Sequence, residues 1–251
     1  MSNTIQRFSN RVANYVKYRP GYPPQVLELF KNEMGMTKEK IVADIGSGTG
    51  LSTKPFLENG NTVYGVEPNA AMRKAAEEYL GEFPNFISRD GTAENTNLEA
   101  ASIDFVTAAQ AFHWFDPKNT REEFIRILKP GGYVALIWNE RQLDTTEFLR
   151  EYENLLINHA KDYERVRHEN IDQEKLDDFF QTGYERATFP NEQVFDFEGL
   201  RGRVLSSSYM PAENDPSFPA LEKDLRAIFT NYSEQDRIKV FYDTNIYYKQ
   251  Y

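Results

Sequence analysis

Between residues 41 and 138 the chain alternates short, β-branched apolar runs with longer segments whose apolar positions recur every three or four residues. That alternation is the pattern of strands joined by crossover helices. The runs 41–45, 62–66, 85–88, 103–108 and 133–138 are predicted strands. In one interval Asn69 has the chemistry of an N-cap, 70–80 is rich in helix formers, and Gly81 stands where a C′ glycine ends a helix. A further helix is expected over about 119–128, ahead of a Pro130-Gly131-Gly132 turn that launches the fifth strand. The expected fold is α/β, with a doubly wound, mostly parallel sheet.

Beyond Trp138 the alternation breaks. Residues 144–182 read as helical and strongly charged, 184–197 and 237–248 have strand-like β-branched and aromatic content, and a helix is expected near 221–229. The tail therefore predicts a helical insertion followed by a C-terminal antiparallel strand pair. Tyr242, Tyr247, Tyr248 and Tyr251 fit packing on a sheet face better than a ligand box.

Composition narrows the chemistry. A length of 251 residues fits one large domain with an insertion. The charge balance, 29 − 39 = −10, argues against a phosphate-tracking surface and so against nucleic acid. Without cysteine there is no disulfide, thiolate ligand or thiol nucleophile, and His113, His159 and His168 are too scattered to suggest a metal site. The first 11 residues carry no signal-type apolar core, and no run approaches the ~20 apolar residues of a membrane span. The expectation is a cytoplasmic protein that meets small molecules, not membranes.

The stretch IVADIGSGTG, residues 41–50, places three glycines directly after the first strand. Glycines there permit a sharp turn and close approach of a ligand to main chain, at the strand end where open parallel sheets bind ligands. The dinucleotide spacing G-x-G-x-x-G fails because Leu51 occupies its sixth position. A phosphate loop fails too, since Lys54 follows Thr53 and no glycine precedes it. Both failures point away from phosphates and toward a nucleoside-like ligand.

The run Asp44-Ile45-Gly46-Ser47-Gly48-Thr49-Gly50 resembles the first motif of the class I S-adenosylmethionine-dependent methyltransferases, and more follows at matching intervals. Glu67, 17 residues after Gly50 in VYGVEPN, resembles the family acid that accepts both ribose hydroxyls. Residues 89–106 are similar to the family's adenine-binding turn and fourth strand, and LKPGGYVALIW, 128–138, to the motif that forms the fifth. The resemblance implies a Rossmann-like methyltransferase fold, S-adenosyl-L-methionine as cofactor, and cofactor contacts at Asp44, Gly46, Ser47, Gly48, Gly50, Glu67, Pro68, Met72, Thr92, Ala93 and Glu94. Thr92 departs from the family, where many relatives carry an aspartate that reads the adenine amino group; Glu94, Asp90 or a main-chain carbonyl are the alternatives.

In the family the turn after strand four passes under the methionine portion of the cofactor. That implies backbone contacts from Gln110 and Ala111, with His113 and Trp114 facing the acceptor; His113 is either a base or a pocket wall. The opening RFSNRVANYVKYRPGYP, 7–23, resembles the trans-aconitate methyltransferase-like branch, type 11-like, in which this segment folds over the cofactor. Tyr15 and Tyr18 are then expected to meet substrate, Arg19 to offer a forked donor to a carboxylate of cofactor or substrate, and Arg141 to grip an acidic acceptor. The implied organisation is one methyltransferase domain, with a cofactor-covering segment at 1–30, a core at 38–140, a helical insertion and cap at 141–235, and the last strand at 236–251. The implied reaction is methyl transfer to a small molecule, with O-methylation of a carboxylic acid favoured, in a monomer or homodimer. Methylation of a quinone-like metabolite, cofactor binding without catalysis, and nicotinamide-dependent oxidoreduction are the competing readings.

Overall fold

The computed structural model describes residues 17–160, 173–207 and 209–251. In chain order the strands are β1 (Ile41–Ile45), β2 (Thr62–Val66), β3 (Phe86–Arg89), β4 (Ile103–Ala109), β5 (Leu128–Arg141), β6 (Glu185–Phe195) and β7 (Ile238–Gln250). The helices among the described residues are α1 (Gln25–Glu33), α2 (Lys54–Glu58), α3 (Ala70–Tyr79), α4 (Pro117–Ile127), α5 (Glu147–His159), α6 (Gln173–Phe180), α7 (Phe197–Leu205) and α8 (Phe218–Tyr232). A short 3₁₀ turn covers Phe112–Trp114.

The strands form one sheet in the order β3-β2-β1-β4-β5-β7-β6. β1 pairs in parallel with β2 and β4, β2 with β3, and β4 with β5. β7 runs the other way: Gly131 N–H donates to Tyr251 O and Tyr251 N–H to Gly132 O, while Thr244 hydrogen-bonds Asn139. Along the other side of β7, Thr188 and Arg186 reach Asn245 and Thr182 accepts from Lys249, again antiparallel. The sheet is therefore mostly parallel with a C-terminal antiparallel pair, as the alternation predicted. Pro190 lies in β6, the sheet edge, where a missing N–H is tolerated.

The chain divides into two compact units: 21–139 with 171–189 and 244–251, and 1–20 with 140–170 and 190–243. The first, the sheet unit, buries both faces of its strands. One face packs Ile45, Val106, Leu136 and Trp138 against Phe124 of α4 and Phe179 of α6; the other packs Val42, Val63, Phe105 and Ile137 against Phe30 of α1 and Phe56 of α2. Burial on both faces explains why these strands read as continuous apolar runs. The second, the helical unit, has its own core, where Leu149, Tyr152 and Leu156 of α5 meet Leu200 and Val204 of α7, Leu221 and Leu225 of α8, and Val240 and Tyr242.

Two expectations are adjusted and one element is added. α4 begins at Pro117, not near 119, because Asp116 is its N-cap, accepting from Asn119 N–H at 2.8 Å, and Pro117 takes the first turn. The Pro130-Gly131-Gly132 segment is no free turn: it lies inside β5, where Gly131 at φ +80 absorbs a register shift while its N–H bonds the C-terminal residue. The tail also holds α7, between the expected strand at 184–197 and the helix expected near 221–229, inside the stretch read as a helical insertion. Gly199 and Gly202 dilute its helical pattern, yet a Cβ at Gly202 would lie 2.1 Å from the Tyr18 ring, so close packing requires the glycine.

Candidate functional site

The loop after β1 folds back on β2. Gly46 and Ser47 N–H both donate to Val66 O, at 2.8 and 3.2 Å, Gly48 N–H donates to Glu67 Oε2 at 3.1 Å, and Gly50 N–H to Ser47 O at 2.9 Å. All three glycines have positive φ, but they do different jobs. A Cβ on Gly46 would meet Ala111 Cβ at 2.6 Å and one on Gly50 would meet Leu80 at 2.5 Å, whereas one on Gly48 would meet nothing within 4 Å. Gly46 and Gly50 are thus packing glycines, and Gly48 faces open space. A phosphate cradle presents free loop N–H groups to its anion. Here the N–H groups of Gly46, Ser47, Gly48 and Gly50 are committed internally, a second reason, beyond spacing, to look for a ligand without phosphate.

Asp44 is fully buried. Oδ2 accepts from Ser52 Oγ and Thr53 Oγ1, both at 2.7 Å, and Oδ1 accepts from Thr107 Oγ1 at 3.1 Å. Burial pushes its carboxyl above the ordinary range despite those three hydroxyls. It fastens the start of α2 and the middle of β4 to β1, and so sets the loop's shape from inside.

Glu67 ends β2 with its carboxylate at the crevice. Oε1 accepts from Asn69 N–H at 2.8 Å and Oε2 from Gly48 N–H, which leaves each oxygen a second lone-pair site. Burial raises its carboxyl too, with the N–H groups of Asn69 and Gly48 working against it. Asn69 caps α3 by accepting from Ala71 and Met72 N–H, Met72 is buried in the first turn, and Pro68 is exposed beside them. Thr49 Oγ1 is buried with no hydrogen-bond partner among the described residues.

The third wall is the 89–96 turn. Thr92 Oγ1 accepts from Asn95 N–H, Ala93 is buried, Glu94 accepts from Asp116 N–H, and Asp90 pairs with Arg73 at 2.9 Å. Asp90 and Glu94 thus already have protein partners. The fourth wall follows β4. Gln110 adopts φ +53, a left-handed conformation uncommon for a non-glycine, and its Nε2 donates to Asn139 O at 2.8 Å. Asn139 also donates to Gly21 O and accepts from Thr244. It positions both the strand-four turn and the 21–23 segment, a role the sequence reading missed because a lone Asn at a strand end carries no signal. His113 lies 4.4 Å from the Trp114 ring and 5.3 Å from that of Trp138, centroid to centroid, and Trp114 is 49% exposed.

The remaining expected residues belong to the helical unit. Arg141 is buried, pairs with Glu153 and lies over the Tyr152 ring at 5.2 Å, so it is a neutralised core group and not a free grip at a mouth. Arg19 donates to Ser206 O at 3.3 Å, and Tyr18 O accepts from Gln193 at 3.1 Å. Tyr15 lies outside the described residues. A cleft of about 320 Å³ between α1 and α2 is lined by Tyr22, Leu27, Phe56 and Asn59, with Ser52 of the segment after β1 also in its lining.

Residues 43–136 match the family described as a methyltransferase domain. An uncharacterized methyltransferase of Schizosaccharomyces pombe is 33% identical over 135 residues, 53% of each chain, and one of Geobacillus thermodenitrificans is 38% identical over 52% of this chain and 64% of its own. The match spans about half the length of the first such relatives. A second S. pombe protein, described as methyltransferase-like, is 26% identical over 96% of this chain and 93% of its own. Among solved structures, a candidate type II methyltransferase from Anaeromyxobacter dehalogenans superposes with a TM-score of 0.69 at 20% identity, covering 93% of this chain and 98% of that one. The phosphoethanolamine N-methyltransferase 2 of Haemonchus contortus, in complex with S-adenosyl-L-methionine, superposes with 0.53 at 18% identity, covering 99% of this chain and 56% of that one. The fold is that of the class I methyltransferases. No described helix is long and apolar enough to cross a membrane.

Proposed function

We propose that this protein, with its methyltransferase domain over 43–136, transfers the methyl group of S-adenosyl-L-methionine to a small molecule, with a carboxylic acid as the acceptor. The observation that carries the reading is the strand-end crevice. Its loop N–H groups are committed internally, Gly48 leaves room for a ligand, and Glu67 presents two remaining acceptor sites to a diol. Those features fit an aminoacyl-nucleoside better than any phosphorylated ligand.

The cofactor supplies an electrophilic methyl on a sulfonium. The chain's part is to bind and to align. Glu67 takes the ribose hydroxyls, Ala93 and Met72 bracket the adenine, and the backbone at Gln110 and Ala111 supports the methionine portion. Holding two reactants in line while excluding water is worth up to ~7–11 kcal/mol in well-oriented systems. A carboxylate acceptor is already a nucleophile at neutral pH and needs no base, so His113, flanked by Trp114 and Trp138, acts as a wall. The same exposed Trp114 beside His113 would suit a flat ring, which keeps a quinone-like acceptor as the second reading. The 7–23 segment supports placing the chain in the trans-aconitate methyltransferase-like branch.

Calorimetry with S-adenosylhomocysteine is the direct test. Wild type is expected to bind it and to ignore NAD(H), and Glu67→Gln is expected to weaken binding roughly 10- to 100-fold, as the loss of charged hydrogen bonds predicts. Failure of the wild type to bind S-adenosylhomocysteine sinks the reading.

A further inference from the structure

β4 and β5 stay in register as far as Ala109 and Ile137, and the next rung is intact: Gln110 N–H donates to Ile137 O at 3.0 Å. At Gln110 the chain leaves the strand. Its φ of +53 is a left-handed step, and the 3₁₀ turn Phe112–Trp114 follows at once. In a parallel ladder every second residue of a strand donates to the same neighbour, so the acceptor after Ile137 O is Asn139 O. With the chain turned away, the Gln110 side chain takes that place, and its Nε2 donates to Asn139 O at 2.8 Å. One residue thus holds β5 at two successive carbonyls, first through its main chain and then through its amide.

Asn139 is itself fixed on both sides. Its Oδ1 accepts from the fully buried Thr244 at 2.6 Å, and its Nδ2 donates to Gly21 O at 3.0 Å. On the far side of the turn, a Cβ on Gly46 would come within 2.6 Å of Ala111 Cβ and 3.3 Å of Phe115 Cζ. The turn and the glycine loop are therefore already in close contact, and a shift at 110–111 is passed on to Gly46. All of these residues belong to the sheet unit.

A left-handed glutamine costs free energy that glycine avoids and asparagine reduces. At a site chosen for backbone stability alone, one of those two residues would be expected. Neither reaches Asn139 O from position 110, since glycine has no amide and asparagine is one methylene short.

We infer that Gln110 is a positioning residue, whose amide completes the β4–β5 ladder and so holds the 110–111 backbone at one fixed place in the crevice wall. Geometry, not local stability, is what this residue serves, as is common for left-handed residues at binding sites. That the wall supports the methionine portion of S-adenosyl-L-methionine rests on the methyl-transfer reading; the hold on the turn does not.

The test compares full-length wild type with Gln110→Gly, Gln110→Asn and Gln110→Ala. Gln110→Gly and Gln110→Asn are expected to melt at or above the wild-type midpoint. Gln110→Ala, which loses the amide without easing the left-handed step, is expected to melt lowest. Without ligand, all three should exchange amide hydrogens faster over 110–115, read by mass spectrometry. Calorimetry should show S-adenosylhomocysteine bound roughly three- to tenfold more weakly by each, the loss expected for one neutral hydrogen bond. A role in stability alone predicts lowered midpoints in all three with affinity unmoved, and that result overturns the inference. Exchange over 110–115 that stays at the wild-type rate in Gln110→Asn overturns it as well. Faster exchange in the variants beside a wild type that ignores S-adenosylhomocysteine leaves the hold on the turn standing and removes the methyl-transfer reading instead.

Discussion

In the strand-end crevice the ionisable groups are the carboxyls of Asp44, buried, and Glu67, half-buried, each surrounded by donors that belong to the same loop-and-strand framework. In the helical unit the buried charges are guanidiniums, one neutralised by Glu153 and the other met only by hydroxyls. Hydroxyls alone hold both the Asp44 carboxyl and the Arg203 guanidinium, whereas Arg141 has an opposite charge beside it. The comparison teaches that a buried ionisable group can be held by hydroxyls alone or by an opposite charge, and that the two arrangements respond differently when a partner is removed.

The largest effect separates the two arginines themselves. Glu153→Ala strands Arg141 without its counter-charge and is expected to destabilise the fold by about 3–5 kcal/mol, the range for breaking a buried pair. Arg203→Met removes a charge with no acid partner and is expected to lose much less stability, or to gain some. Urea unfolding of the two variants beside wild type checks this; equal losses would erase the distinction between an arginine with an acid partner and one held by hydroxyls.

A smaller effect sorts the glycines of the crevice. Gly50→Ala meets Leu80 at 2.5 Å as well as an unfavourable φ, so it adds overpacking of about 1–3 kcal/mol to a left-handed penalty of about 1–2 kcal/mol. Gly48→Ala carries only the φ penalty, and its methyl enters the space assigned to the cofactor. Thermal melts should rank Gly50→Ala as the less stable, while S-adenosylhomocysteine titration should rank Gly48→Ala as the weaker binder among folded variants. A Gly48→Ala protein with wild-type affinity would count against the crevice.

The smallest effect is a contrast in pH. Burial alone would raise the Asp104 carboxyl, but hydrogen bonds from Lys129, Ile41 N–H and Lys40 outweigh it and hold it below the ordinary carboxylate range. Its native form therefore binds fewer protons than its unfolded form above that depressed value. The stability it contributes is present above an ordinary carboxylate pKa of about 4 and is lost as pH falls through its folded pKa. Asp44, raised by burial, has the opposite sign: its contribution is present below its unfolded pKa and lost as pH rises through the folded one. Asp104→Asn is expected to flatten the acid limb of a stability-versus-pH curve, and Asp44→Asn to leave no such flattening. An unchanged acid limb in Asp104→Asn would remove Asp104 from that account.

Much of the sheet unit could be read from residues in a row. The runs 41–45 and 62–66 coincide with β1 and β2, and Asn69 caps α3 as its position implied, because a strand buried on both faces or a capped helix is a local pattern. Gly46, Gly48 and Gly50 were recognisable as a set, but their division into packing and open positions depends on Ala111 and Leu80, which come from other elements. The placement of Asp44 inside the fold, of Arg141 on Glu153, and the existence of α7 were not legible, since each turns on a partner distant in sequence.

By itself, then, the sequence determined the alternation, the strand-end loop and the acid that closes it, because backbone propensity and motif spacing act between near neighbours. Only the tertiary structure decided which charged groups are satisfied. Arg141 and Arg203 are the same residue type in the chain; one meets Glu153 across 12 positions and the other meets Tyr242 across 39. Whether a buried ion meets an opposite charge or only hydroxyls depends on neighbours brought together by folding, and no local pattern encodes that.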